Sequence, residues 1–81
     1  MNLDATTTLV DEPIYQAVAT IHDPRTDVGM KEEPVHDVPN QSRSRAIQLS
    51  RIWAGNGYWV SVYQQRTGEC VIDYTPNGGV R

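Results

Sequence analysis

Tyr58-Trp59-Val60-Ser61-Val62-Tyr63, then Arg66-Thr67-Gly68, then Cys70-Val71-Ile72-Asp73-Tyr74: this stretch decides the fold. The first run alternates aromatic and β-branched residues, which suits a strand. Arg66-Thr67-Gly68 supplies a turn, and the second run returns as an antiparallel neighbour. Period-2 alternation sends Tyr58, Val60 and Val62, with Cys70 and Ile72, to one side of the hairpin. It sends Trp59, Ser61, Tyr63 and Val71 to the other side.

Upstream, residues 42–54 read as a helix. Asn40 or Ser42 supplies an N-cap, and Gly55-Asn56-Gly57 tolerates the positive φ that stops a helix. Ala46, Leu49, Ile52 and Trp53 fall on one side at helical spacing, with Ser44, Gln48 and Arg51 opposite. The Leu49/Trp53 side is expected to pack on the Val60/Val62 face of the hairpin.

Further upstream, Ile14 to His22 reads as a strand, with Ile14, Val18 and Thr20 on one side and Tyr15, Ala17, Ala19 and Ile21 on the other. Ala17, Val18 and Ile21 also fit a helical period, but both sides are partly apolar, which suits a covered strand. Ala5-Thr6-Thr7-Thr8-Leu9-Val10 reads as a short strand or extended arm. Residues 23–41 read as a polar, acidic loop. Each of Asp23-Pro24, Glu33-Pro34 and Val38-Pro39 pushes the residue before proline away from helix. The expected fold is α+β: one small domain over residues 1–81, with a sheet of three to four antiparallel strands. One helix lies on one face, in ββαββ or βαββ order. Thr75-Pro76-Asn77-Gly78-Gly79 is expected to end the ordered part.

Charge divides this chain by halves. Residues 1–40 hold eight acids against Arg25 and Lys31, a net of −6; residues 41–81 hold five arginines against Glu69 and Asp73, a net of +3. Such a split points to electrostatic recognition, of a partner or of the chain's own other half. Cys70 is the only cysteine, which excludes an intrachain disulfide and a thiolate zinc cage and fits a reducing interior. The opening Met1-Asn2-Leu3-Asp4 lacks a basic region and an apolar run, and no stretch approaches a membrane span. A cytoplasmic protein with no membrane association is therefore expected.

Two aromatic side chains, Trp59 and Tyr63, fall on the sheet face that a single helix leaves uncovered. Rings of this kind anchor protein interfaces. The carboxylates Asp23, Asp27, Glu32, Glu33 and Asp37 crowd one segment, where they could imitate a phosphate backbone and steer the chain to a basic groove. These seven residues are the expected partner-binding set. Arg43, Arg45 and Arg51 form the alternative set, suited to phosphate recognition. Net negative charge disfavours direct nucleic-acid binding. Gly57 to Tyr63 resembles the aromatic strand of RNA-recognition motifs only in its rings. Trp59 fills the small-residue position and no basic residue precedes the glycine. His22-Asp23 and His36-Asp37 fit no metal-ligand spacing, and no nucleophile elbow or phosphate loop occurs, so no metal, cofactor or enzymatic activity is expected.

Ser44 to Trp53, followed by Gly55 to Tyr63, resembles a pattern found in small phage and mobile-element inhibitors, anti-CRISPR proteins among them. Many of these are acidic, lack cysteine pairs and lay one helix over a short antiparallel sheet. The resemblance covers residues 42–74 through element order and size. It implies a stoichiometric inhibitor of a larger protein complex, such as one that binds nucleic acid. The alternative is a homo-oligomer, such as a homodimer, that pairs through the exposed sheet face or the hairpin edge.

Overall fold

Small residues in the centre of the sheet set the packing of this protein. The computed structural model describes residues 14–81. Strand β1 (Tyr15–Thr20) leads through a short helix α1 (Asp27–Lys31) to β2 (His36–Gln41). Helix α2 (Arg43–Gly55), β3 (Trp59–Gln64) and β4 (Cys70–Tyr74) follow. The sheet order is β2-β1-β3-β4, and every neighbouring pair is antiparallel. Helix α2 lies on one face, chiefly against β1 and β3. This is the α+β fold the sequence led us to expect, with four antiparallel strands and one main helix, but its order is βαβαββ.

One row of side chains runs across the sheet under the helix. Ala17 stands opposite Val62 and Ala19 opposite Val60; Val62 and Val60 in turn face Ile72 and Tyr74. All but Ile72 are buried, and Ala46, Trp53 and Ala54 of α2 close the core from above. Alanines on both layers let helix and sheet approach closely. Each fully buried valine contributes roughly 1.5–3 kcal/mol through removal from water. Trp53 fills the end of the layer, stacked on His36 of β2 at 4.8 Å, with Tyr58 edge-on to the same imidazole at 5.6 Å.

Strand β1 takes the faces read for Ile14–His22. Ser42 is the cap of α2, accepting the Arg45 N–H at 3.1 Å, while Asn40 takes φ 60° at the irregularity near the end of β2. The helix stops where the glycines stand, with Gly57 at φ 97°. The hairpin turn closes at Gly68, φ 74°, whose N–H reaches the Gln64 carbonyl.

Four expectations need correction. Residues 23–41 are not a structureless loop: they carry α1 and β2. Thr26 caps α1, and β2 pairs with β1 from Ala19–His36 to Tyr15–Gln41. The buried stripe of α2 runs through Ala46, Ser50, Trp53 and Ala54, while Ile52 is exposed. Ser50 is tolerated there because its hydroxyl donates to the Ala46 carbonyl at 2.7 Å. Cys70 does not join the core. A bulge between Val62 and Tyr63 sets Cys70, not Val71, opposite Tyr63 and turns it to the other face. Finally, the chain does not end its order at Thr75–Gly79. That turn folds back so that Val80 bridges Tyr74, and the Asn77 N–H satisfies the Ala54 carbonyl at the end of α2. The strand read at Ala5–Val10 lies outside the described residues.

Candidate functional site

Alternation along β3 fixes the face opposite α2. Trp59, Ser61 and Tyr63 point there, beside Thr20, Val18 and Gln16 of β1 and Asp73 of β4. Both rings are half-buried. They are not adjacent: Ser61 stands between them, and four residues of strand span roughly 13 Å. The two halves of the face also differ.

The Trp59 half is fastened. Arg81 donates to Asp23 through both terminal nitrogens, at 2.7 and 2.9 Å, and its guanidinium lies 5.0 Å from the centre of the Trp59 ring. Arg25, in the same loop as Asp23, donates to Asp73 at 2.8 Å. Asp73 further accepts from the Ser61 hydroxyl at 2.7 Å and the Cys70 thiol at 3.2 Å. Thr20 and Ser61 are buried here, on a face that no helix covers. The fastening explains the charge halves in part: Asp23 of the acidic half meets Arg81 of the basic half.

These contacts set the ionisation. The Arg81 hydrogen bonds, then the Arg25 backbone N–H, hold the Asp23 carboxyl down at about 2. Partial burial works against ionising Asp73, but its Ser61, Cys70 and Arg25 donors outweigh that and leave its pKa lowered. Burial and then the Asp73 carboxylate push the Cys70 thiol up to about 11. Cys70 is thus held as a neutral thiol near pH 7, the form that is not nucleophilic.

The Tyr63 half is open. Tyr63 pairs across the sheet with Gln16 and Cys70. Gln16 donates to Asp37 of β2 at 2.6 Å, and Val71 stays exposed at the bulge.

The acidic segment is not a free run of charge. Besides Asp23 and Asp37, Glu32 is engaged, accepting the backbone N–H groups of Ile21 and His22 at 3.1 and 2.8 Å and lying 3.1 Å from His22 Nδ1. Partial burial opposes its ionisation, but these donors prevail and lower its pKa. Asp27 begins α1 and Glu33 follows it; both are exposed. The alternative set, Arg43, Arg45 and Arg51, is exposed on α2. At 3.6 residues per turn, Arg45 lies about 160° from Arg43 and about 120° from Arg51, so the three do not share a face. Arg45 instead reaches Gln48 at 3.0 Å.

Sequence reading missed Arg25, Asp73 and Arg81 as site residues. Their signal was the opposed charge of the two halves, which names no partners. Among the described residues no group of three or more His, Cys, Asp and Glu side chains is placed to hold a metal ion. No helix of the described residues is long and apolar enough to cross a membrane. Comparison with family models, with curated proteins and with solved structures gives no match for this chain.

Proposed function

We propose that this protein is a small non-enzymatic binding module that docks on a larger protein through the sheet face opposite α2. By occupying that surface it acts as a stoichiometric inhibitor, the role that its resemblance to phage inhibitors implies. The observation that carries the reading is the open half of that face, where Tyr63 stands half-exposed beside Gln16 and the exposed Val71. Tyrosine is suited to this role: it buries a large ring at low entropic cost and keeps a polar tip. Asp37, which accepts from Gln16 beside Tyr63, gives this half a negative charge that favours a basic partner.

The sheet edges support face-on docking over strand addition. Strand β2 carries Pro39 and the left-handed Asn40 before its last residue, and the C-terminal end of β4 is covered by Val80 and Arg81.

A photo-crosslinking residue at position 63, compared with one at position 52 on the exposed side of α2, tests the reading in lysate of the source cells. We expect one discrete protein adduct from position 63 and none from position 52. Tyr63→Ala should weaken binding of that protein by about 2 kcal/mol, roughly 30-fold. No adduct at position 63, or light scattering that shows a homodimer burying Tyr63, overturns it.

A further inference from the structure

We propose that residues 75–81 form a strap that gates Trp59, with Arg81 as its catch. The strap rests chiefly on polar contacts. Its turn is closed by the Thr75 N–H and hydroxyl on the Gly79 carbonyl, at 2.7 and 3.1 Å. The Asn77 N–H holds the Ala54 carbonyl at 2.9 Å, and the Arg81 N–H holds the Asp73 carbonyl at 2.9 Å. Its apolar residue, Val80, is 65% exposed and adds nothing to the core. What keeps the strap down is the Arg81 side chain, clipped to Asp23 at one end and laid over the indole of Trp59 on its flat side.

A strap held by one ion pair and a few backbone bonds, with Pro76 only half-buried and Val80 exposed, belongs to the weakest part of a structure and opens without unfolding the rest. Its release uncovers the face of Trp59 and adds a second ring to the docking face, while Ser61 between them stays bonded to Asp73. The gate therefore regulates the docking face and rests on that reading for its purpose. Its opening is measured without a partner.

The probe is acrylamide quenching of Trp59 fluorescence in a Trp53→Phe background. Acrylamide is neutral, so added salt acts on the catch and not on the probe. Arg81→Ala and Asp23→Asn should each raise the quenching constant roughly twofold, because one covered ring face is bared. The double variant should go no further than either single change, and Arg51→Ala should have no effect. Salt at about 1 M should move the native chain toward the Arg81→Ala value, since it shortens the Debye length to roughly 3 Å. Should the Trp53→Phe background fail to fold, indole N–H resonances of the otherwise native chain give the same comparison. Arg81→Ala then shifts the Trp59 signal and leaves that of Trp53 in place.

Unchanged quenching and an unmoved Trp59 resonance overturn the gate while leaving docking through Tyr63 intact. Once the partner crosslinked at position 63 is in hand, Arg81→Ala should bind it more tightly. Equal affinity of the two chains would sink the regulatory role but not the docking face.

Discussion

Replacing Gly29 by alanine should destabilise this protein, although helix propensity alone says the reverse. Gly29 lies inside α1 and is buried. A methyl group there would fall well inside contact distance of the Asp23 carbonyl oxygen, 2.5 Å from its carbon and 2.9 Å from the Pro24 nitrogen. All three are backbone atoms, so no side chain can swing aside. Reaching ordinary contact needs a shift of roughly 1 Å, and overpacking of this kind costs about 1–3 kcal/mol.

The displaced carbonyl also anchors the helix cap, accepting the Thr26 N–H at 3.0 Å and the Thr26 hydroxyl at 2.6 Å. Weakening these bonds costs about 1 kcal/mol more. The gain in propensity returns about 1 kcal/mol. The net loss is about 1–3 kcal/mol, or a fall in melting temperature of roughly 4–24 °C for a domain of this size. Gly55→Ala is the internal control, because nothing stands within 4 Å of the added methyl. Urea unfolding followed by circular dichroism measures both. Equal midpoints for the two variants would refute the reasoning, since the same substitution would then be blind to the Asp23 backbone.

Ser42→Ala should cost about 1 kcal/mol through loss of the α2 cap, read as a lower urea midpoint with unchanged slope. Stability should fall as the pH drops from 5 toward 2: Asp23, Asp73 and Glu32 all have lowered folded-state pKa values, so the unfolded chain binds more protons across that range. A urea midpoint that is equal at pH 7 and pH 2.5 would contradict this, and Arg81→Ala should make the dependence shallower by removing the Asp23 share. Cys70 should show the opposite behaviour at the alkaline end. Its thiol rises from 9.0 to about 11, so at pH 8 its alkylation by iodoacetamide should run about 100-fold slower than in the urea-unfolded chain. Asp73→Asn should recover part of that rate; a native rate equal to the unfolded one would show the Asp73 contact to be absent.

The legible parts of this fold are those in which one local rule acts alone. Strict alternation placed Trp59, Ser61 and Tyr63 on the reverse face, and Ser42 with Gly57 bracketed α2. Strand β2 was hidden because His36-Asp37-Val38-Pro39-Asn40-Gln41 is an edge strand. Its only apolar residue that turns inward is Val38, and its proline and charge are the devices that keep edges from pairing. The true stripe of α2 was obscured because Ser50 satisfies itself within the helix, which no hydropathy pattern reveals. The bulge at Tyr63 broke the alternation that would have buried Cys70. Of the site, the aromatic residues were readable and the fastening was not. Asp23 and Arg81 meet across almost the whole described chain, a pairing decided by the sheet order and by no local signal.

That order has a consequence for the protein as it is made. Strand β1 emerges from the ribosome early, and β2 follows to cover one of its edges. Its other edge has to wait for β3, because Thr20 pairs with Trp59 and Tyr15 with Gln64. Until then a nascent chain presents a half-finished sheet whose unmet flank includes Ala17 and Ala19, with no valine partners to seal them. Synthesis that stalls within α2 therefore leaves that flank open to other chains.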